Sequence, residues 1–307
     1  MMAKTEVLRR FLSTLSLGYI LFFYSETMFW ARWRQEDTPL GLVTTWLVYS
    51  VLAFFVLLMA NRFRAGDVYS VFLVGAVFGW LVEGVVVQTV YTDFPFGIVW
   101  TPLAWHALIS VLAGVYLAGK ALGEWSTAKS AMFFASLGAF WGFWASYWKL
   151  EDGYAVSPEN FAIYAFLSTL LLVVAYAVLH ASSPGNFEPR RLEIGLFTAV
   201  LLFFAAFTVL AVPFSILALP PLIGIALHAL RRLGGENFFS GYGRIKGSRY
   251  FMPLLMPVFA LLVYTPLRNL WFDVNVPVAL VTSGTSIVLF LKALYKALRG
   301  ISFNLEI

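Results

Sequence analysis

Apolar runs of about twenty residues recur along this chain, and no other feature constrains its fold as strongly. A run of that length, wound as a helix, crosses the hydrocarbon core of a bilayer. Ten such segments are read, at 11–30, 40–60, 68–90, 102–119, 130–148, 160–181, 194–211, 213–230, 250–267 and 277–298. Hydrophobic residues make up 61% of the 307 and charged ones 12%. A water-soluble fold cannot hide that much apolar surface. The runs are helix-length, unlike the roughly ten-residue alternating segments of an outer-membrane barrel. The expected fold is all-α: a single polytopic helical membrane domain over 1–307, with about ten transmembrane helices.

Charge placement sets the expected topology. From Ile194 to Leu230 only Pro213, Pro220, Pro221 and His228 interrupt the apolar run, so one kinked helix or two short ones would fit. With ten spans and the N-terminus inside, 17 of the 21 Lys and Arg fall in inner segments. The other four are Arg32, Arg34, Lys149 and Arg268. Fusing the seventh and eighth segments destroys this bias, so the positive-inside rule selects ten spans with both termini cytoplasmic. The expected location is the cell membrane. The first run has no small-residue cleavage site after it, so it is expected to stay as a span. The net charge of +5 then reads as topogenic, and no nucleic-acid partner is expected. The longest inner loop, 231–249, is basic and glycine-rich and is expected to be flexible. The absence of cysteine excludes disulfides and thiolate chemistry; with scarce Gln and Asn it points to a thermophilic source.

Asp37-Thr-Pro-Leu-Gly-Leu-Val-Thr-Thr-Trp-Leu47 aligns without gaps with Asp93-Phe-Pro-Phe-Gly-Ile-Val-Trp-Thr-Pro-Leu103. This suggests a repeated helical hairpin, 11–60 and 68–119, in parallel orientation. Proline near the start of the other outward-starting helices suits either an extended repeat or the ordinary preference for proline in a first helical turn.

Ionisable groups within a span are expensive, and so they point to function. Glu83 lies in the third span and His106 near the start of the fourth, both in the expected outer half, and Glu26 lies near the outer end of the first. Gly75, Gly79 and Glu83 are four apart and share a helix face, as do His106, Ser110 and Gly114. Gly138, Gly142 and Ser146 form a third such stripe. Glu83 and His106 are therefore candidates for a proton relay or an acid–base pair. A structural buried hydrogen bond for Glu83, and a helix-capping role for His106, are the plainer readings. Glu26, Asp93, Trp100, Trp105, Trp144, Tyr147 and Arg268 are candidates for binding a ligand in an outward-facing cavity between spans one, three, four and five. For the tryptophans the plainer reading is an interfacial belt, and for Arg268 an ion pair with Asp273.

No phosphate-binding loop, zinc-protease motif or nucleophile elbow is present. The three histidines, 106, 180 and 228, fall at opposite ends of their spans, so neither a metal site nor a cofactor is expected. Three functions remain. The first is a permease-like protein, in contact with membrane lipids, that takes a small or amphipathic ligand with Glu83 as its protonatable group. The second is an intramembrane enzyme acting on a lipid or isoprenoid. The third is a scaffold or oligomer that docks through the Gly75/Gly79 and Gly138/Gly142 faces.

Overall fold

A computed structural model describes residues 2–241, 245, 247–270 and 272–300, and among them every regular element is a helix. The ten long helices are α1 (Thr5–Trp30), α2 (Pro39–Phe63), α3 (Val68–Val86), α4 (Phe96–Gly123), α5 (Thr127–Ala145), α6 (Pro158–Ala181), α7 (Arg191–Ala211), α8 (Ser215–Leu233), α9 (Gly247–Leu267) and α10 (Asn275–Arg299). Among the described residues nine are long and apolar enough to span a membrane, as an integral membrane protein of many passes requires. The exception is α5, which opens with Thr127, Lys129 and Ser130 and is interrupted by glycine and serine. The chain turns at Val212–Phe214 between α7 and α8, so the doubtful region forms two helices.

Helix starts follow local chemistry. The Thr38 side chain accepts from the Gly41 amide with Pro39 in the first turn, and Ser157 does the same for Asn160 ahead of Pro158. Asp67 and Ser70 cap α3 reciprocally. Each cap satisfies amides that the helix itself leaves without partners.

Helix α3 carries apolar residues on all sides and is buried along its whole length. That is the expected place for a helix without a polar face. Its neighbour α4 approaches closely because glycine lets it. A Cβ on Gly79 would lie 2.1 Å from the Pro102 carbonyl oxygen, and one on Gly75 would lie 2.8 Å from Ala107 Cα. The Gly138/Gly142 stripe of α5 likewise meets Met256 and Ala260 of α9. Both glycine faces are thus occupied by helices of the same chain.

The two ends of the bundle differ. At one end the turns 61–66, 184–187 and 234–241 join: the Gly235 amide donates to the Arg64 carbonyl (2.9 Å), Phe238 to Ala65 (2.8 Å), and the Asn237 side chain to Asn61 (2.9 Å). Phe238 and Phe239 are buried there. The first half of the loop read as flexible is therefore docked, because its two phenylalanines and Asn237 find partners. Tyr242, Gly243, Arg244 and Lys246 lie outside the described residues. At the far end Arg32 pairs with Asp152 (2.6 Å) and lies 4.5 Å from the Trp148 ring.

The two copies of the aligned motif fold differently. In the first, α2 starts at the motif proline, Pro39. In the second, the equivalent Pro95 precedes a short 3-10 turn, and regular winding resumes only at Pro102. The Trp80 indole takes the Ile98 carbonyl (3.0 Å), and Gly97 sits against the Val90 carbonyl. These contacts from α3 and its following turn have no counterpart around the first copy, so shared sequence does not give shared structure here.

Candidate functional site

Three stretches wind with hydrogen bonds between residues five apart instead of four: Phe23–Thr27 in α1 and Val82–Val86 in α3, both near the far end, and Pro102–Leu117, which runs from that end through most of α4. The Val87 amide reaches the Val82 carbonyl (3.0 Å), and the His106 amide reaches Thr101 (2.8 Å). Such π winding is rare and recurs at functional sites. Here it carries Ser25 and Glu26, Glu83, and His106 and Ser110. Widened turns free backbone carbonyls that hydrocarbon cannot satisfy. Side chains from neighbouring helices take up carbonyls in and just beyond the widened turn of α1. Trp105 donates to Tyr24 (2.8 Å), Tyr164 to Thr27 (3.1 Å), and Trp144 and Trp148 to Phe29 (2.5 and 2.7 Å).

The three π segments bring one polar chain together. His106 Nε2 lies 2.7 Å from Oε1 of Glu83, and its Nδ1 lies 2.9 Å from the Ser25 hydroxyl. Ser25 is also 2.9 Å from the Ser110 hydroxyl. The Thr89 hydroxyl donates to the Glu83 carboxylate, and the Thr101 side chain lies close to it. Thr101 is held at φ +68°, costly for a β-branched residue. All four members of the central chain are buried.

Glu26 extends this chain. The Tyr49 hydroxyl of α2 donates to one carboxylate oxygen (2.6 Å), and the Trp30 indole donates to the other (3.0 Å). The Ser25 hydroxyl stands beside that of Tyr49. Glu26 thus bonds Tyr49, and Ser25, which neighbours Tyr49, bonds His106.

Proton count decides the direction of the bonds. With neutral imidazole, Nε2–H donates to Glu83 and Ser25 donates to Nδ1. With imidazolium both ring nitrogens donate, and the Ser25 proton turns to Ser110 or Tyr49. The same heavy-atom positions satisfy both states.

Glu26 lines a groove of about 590 Å³ between α1, α2 and α6. The expected cavity between spans one, three, four and five is not where this groove lies, and neither Glu83 nor His106 lines it. Its walls are Leu12, Leu15, Phe22, Leu42, Leu171 and Val178, with Glu26, Arg34, Glu36 and Asp37 at the far end. Leu167, Leu171 and Val174 on its rim are 52–57% exposed, so the groove opens sideways.

The remaining candidates stand apart from the groove. Trp105 and Trp144 are fully buried in an aromatic cluster with Phe29 and Phe140. Trp100 packs at the edge of that cluster, 6.3 Å from Trp144. Tyr147 stacks on Trp144 and hydrogen-bonds Glu151. Asp93 is exposed in the turn before α4, and Arg268 is half-buried at the end of α9. Trp105 and Trp144 are therefore core donors, because the irregular backbone of α1 needs partners. Tyr49 and Ser25 were not singled out from sequence. The only local signal was that Ser25 precedes Glu26.

No protein-family model, curated protein or solved structure matches the chain.

Proposed function

We propose that the protein is a proton-linked permease for an amphipathic ligand, which it takes into the groove between α1, α2 and α6. One observation carries the reading: Glu26 is a wall of that groove and is hydrogen-bonded to Tyr49, which neighbours the Ser25 that bonds His106. The groove volume lies in the range of small-molecule sites, about 300–1,000 Å³. Its sideways opening between apolar rims suits a ligand that arrives from the bilayer.

The relay is balanced in protons. A protonated Glu26 gives its proton to the Tyr49 oxygen as Tyr49 passes its own to Ser25 and Ser25 passes its own to Nδ1 of His106. Glu26 becomes carboxylate, both hydroxyls are restored, and the new imidazolium faces the Glu83 carboxylate. Glu83 stabilises the charged ring, and Thr89 holds the carboxylate in place. An enzyme using Glu83 and His106 as acid and base would need its substrate against them. The groove lining instead ends at Glu26.

The test is uptake of a fluorescent hexadecylamine derivative by proteoliposomes under an imposed pH gradient. Wild-type protein should take it up with the gradient. Glu83→Gln should keep equilibrium binding and lose the gradient dependence. Uptake indifferent to the gradient would overturn the coupling, and chemical conversion of the probe would favour the enzyme reading.

A further inference from the structure

The charge at the far end of the groove identifies the ligand head. Three carboxylates, Glu26, Glu36 and Asp37, and a single guanidinium, Arg34, line that end. Arg34 is already committed: its side chain makes two bonds to Asp37 (2.8 and 3.1 Å), it lies 3.4 Å from Glu36, and it sits over the Trp30 ring at 4.5 Å. With three carboxylates against one guanidinium, an anionic head would meet an excess of negative charge and no free cation in the lining. Trp33, half-exposed and edge-on to Tyr164 at 4.7 Å, adds an aromatic surface at the same end. Carboxylates beside aromatic faces favour cations, and Arg34 shows that arrangement within the chain itself.

We infer that the groove selects a single-chain amphiphile with a cationic ammonium head, seated by Glu26 and Glu36 beside Trp33. This rests on the groove being the ligand site. Leu12 and Glu26 are fourteen residues apart on α1, about 21 Å of helix. That is some two thirds of the ~30 Å hydrocarbon core, room for one extended chain below the head.

The experiment measures binding of hexadecyltrimethylammonium and of hexadecyl sulfate to the full-length protein in a neutral maltoside detergent. The readouts are tryptophan fluorescence and calorimetry. The cationic probe should bind at least about tenfold tighter. Glu36→Gln, on an exposed residue whose loss spares the buried network, should shrink that preference; Glu26→Gln should shrink it further. Leu171→Trp, which fills the groove from its rim, should weaken both probes. Equal binding of the two probes, or a preference for the sulfate, overturns the head-charge inference and leaves the groove reading standing. Binding of both probes untouched by Leu171→Trp, with the variant still monodisperse, overturns the groove reading itself.

Discussion

One hydroxyl proton on Ser25 cannot serve His106, Ser110 and Tyr49 at once, and this shortage lets the polar chain hold two proton arrangements. Ser25→Ala should therefore leave probe binding in the groove intact while gradient-driven uptake falls by at least about tenfold, in line with the loss of a positioned proton donor. Equal losses of binding and uptake would instead mean a structural role. His106 and Glu83 depend on each other energetically as well. Removing the histidine leaves the buried Glu83 carboxylate short of a hydrogen-bond donor, at about 1–3 kcal/mol or more. His106→Ala should lose stability on that scale in detergent unfolding. A double substitution, Glu83→Leu with His106→Leu, should recover much of it, so a double-mutant cycle should show strong coupling.

At the scale of elements, the spans were legible because each is a long apolar run; α2, α3 and α6 are in addition entered through the caps Thr38-Pro39, Asp67 and Ser157-Pro158. The glycine stripes were legible as close-contact faces, but their partners were not. Four-residue spacing states which residues share a face and says nothing about which helix meets it. The prediction here contrasts glycines. Gly142→Ala would set a Cβ 2.2 Å from the Ala260 carbonyl oxygen, and Gly79→Ala would clash similarly. Each should destabilise by about 1–3 kcal/mol through overpacking. Gly195 and Gly284, with nothing within 4 Å of an added Cβ, should tolerate alanine or gain about 0.5–1 kcal/mol from helix propensity. Thermal unfolding of the four variants checks the ordering. The π winding escaped sequence reading because a turn of five and a turn of four place nearly the same residues on one face. The groove escaped it too. A leucine exposed on the outside of the bundle, such as Leu210, and a leucine lining the groove, such as Leu171, look alike in sequence, and only the assembled bundle separates them.

For the whole molecule, the far end carries the charged mouth of the groove and the opposite end carries most of the basic turns, so the proposed orientation places the mouth outside. The chain has no cysteine, so single substitutions report topology without background. Gln35→Cys at the mouth should react with a membrane-impermeant maleimide added to intact cells, and Glu124→Cys at the opposite end should react only after lysis. Reversed labelling would contradict the orientation. The link between groove and buried pair can be read directly by infrared difference spectroscopy, as hexadecyltrimethylammonium is added to the reconstituted protein. If Glu26, Tyr49, Ser25, His106 and Glu83 form one proton-linked chain, ligand binding should remove the Glu26 carboxyl signal and shift the Glu83 carboxylate signal. Glu26→Gln should abolish both, Glu83→Gln only its own, and Tyr49→Phe should silence only the Glu83 response. A difference spectrum in which Glu83 stays silent while the groove fills would show that the buried pair is separate from the ligand site.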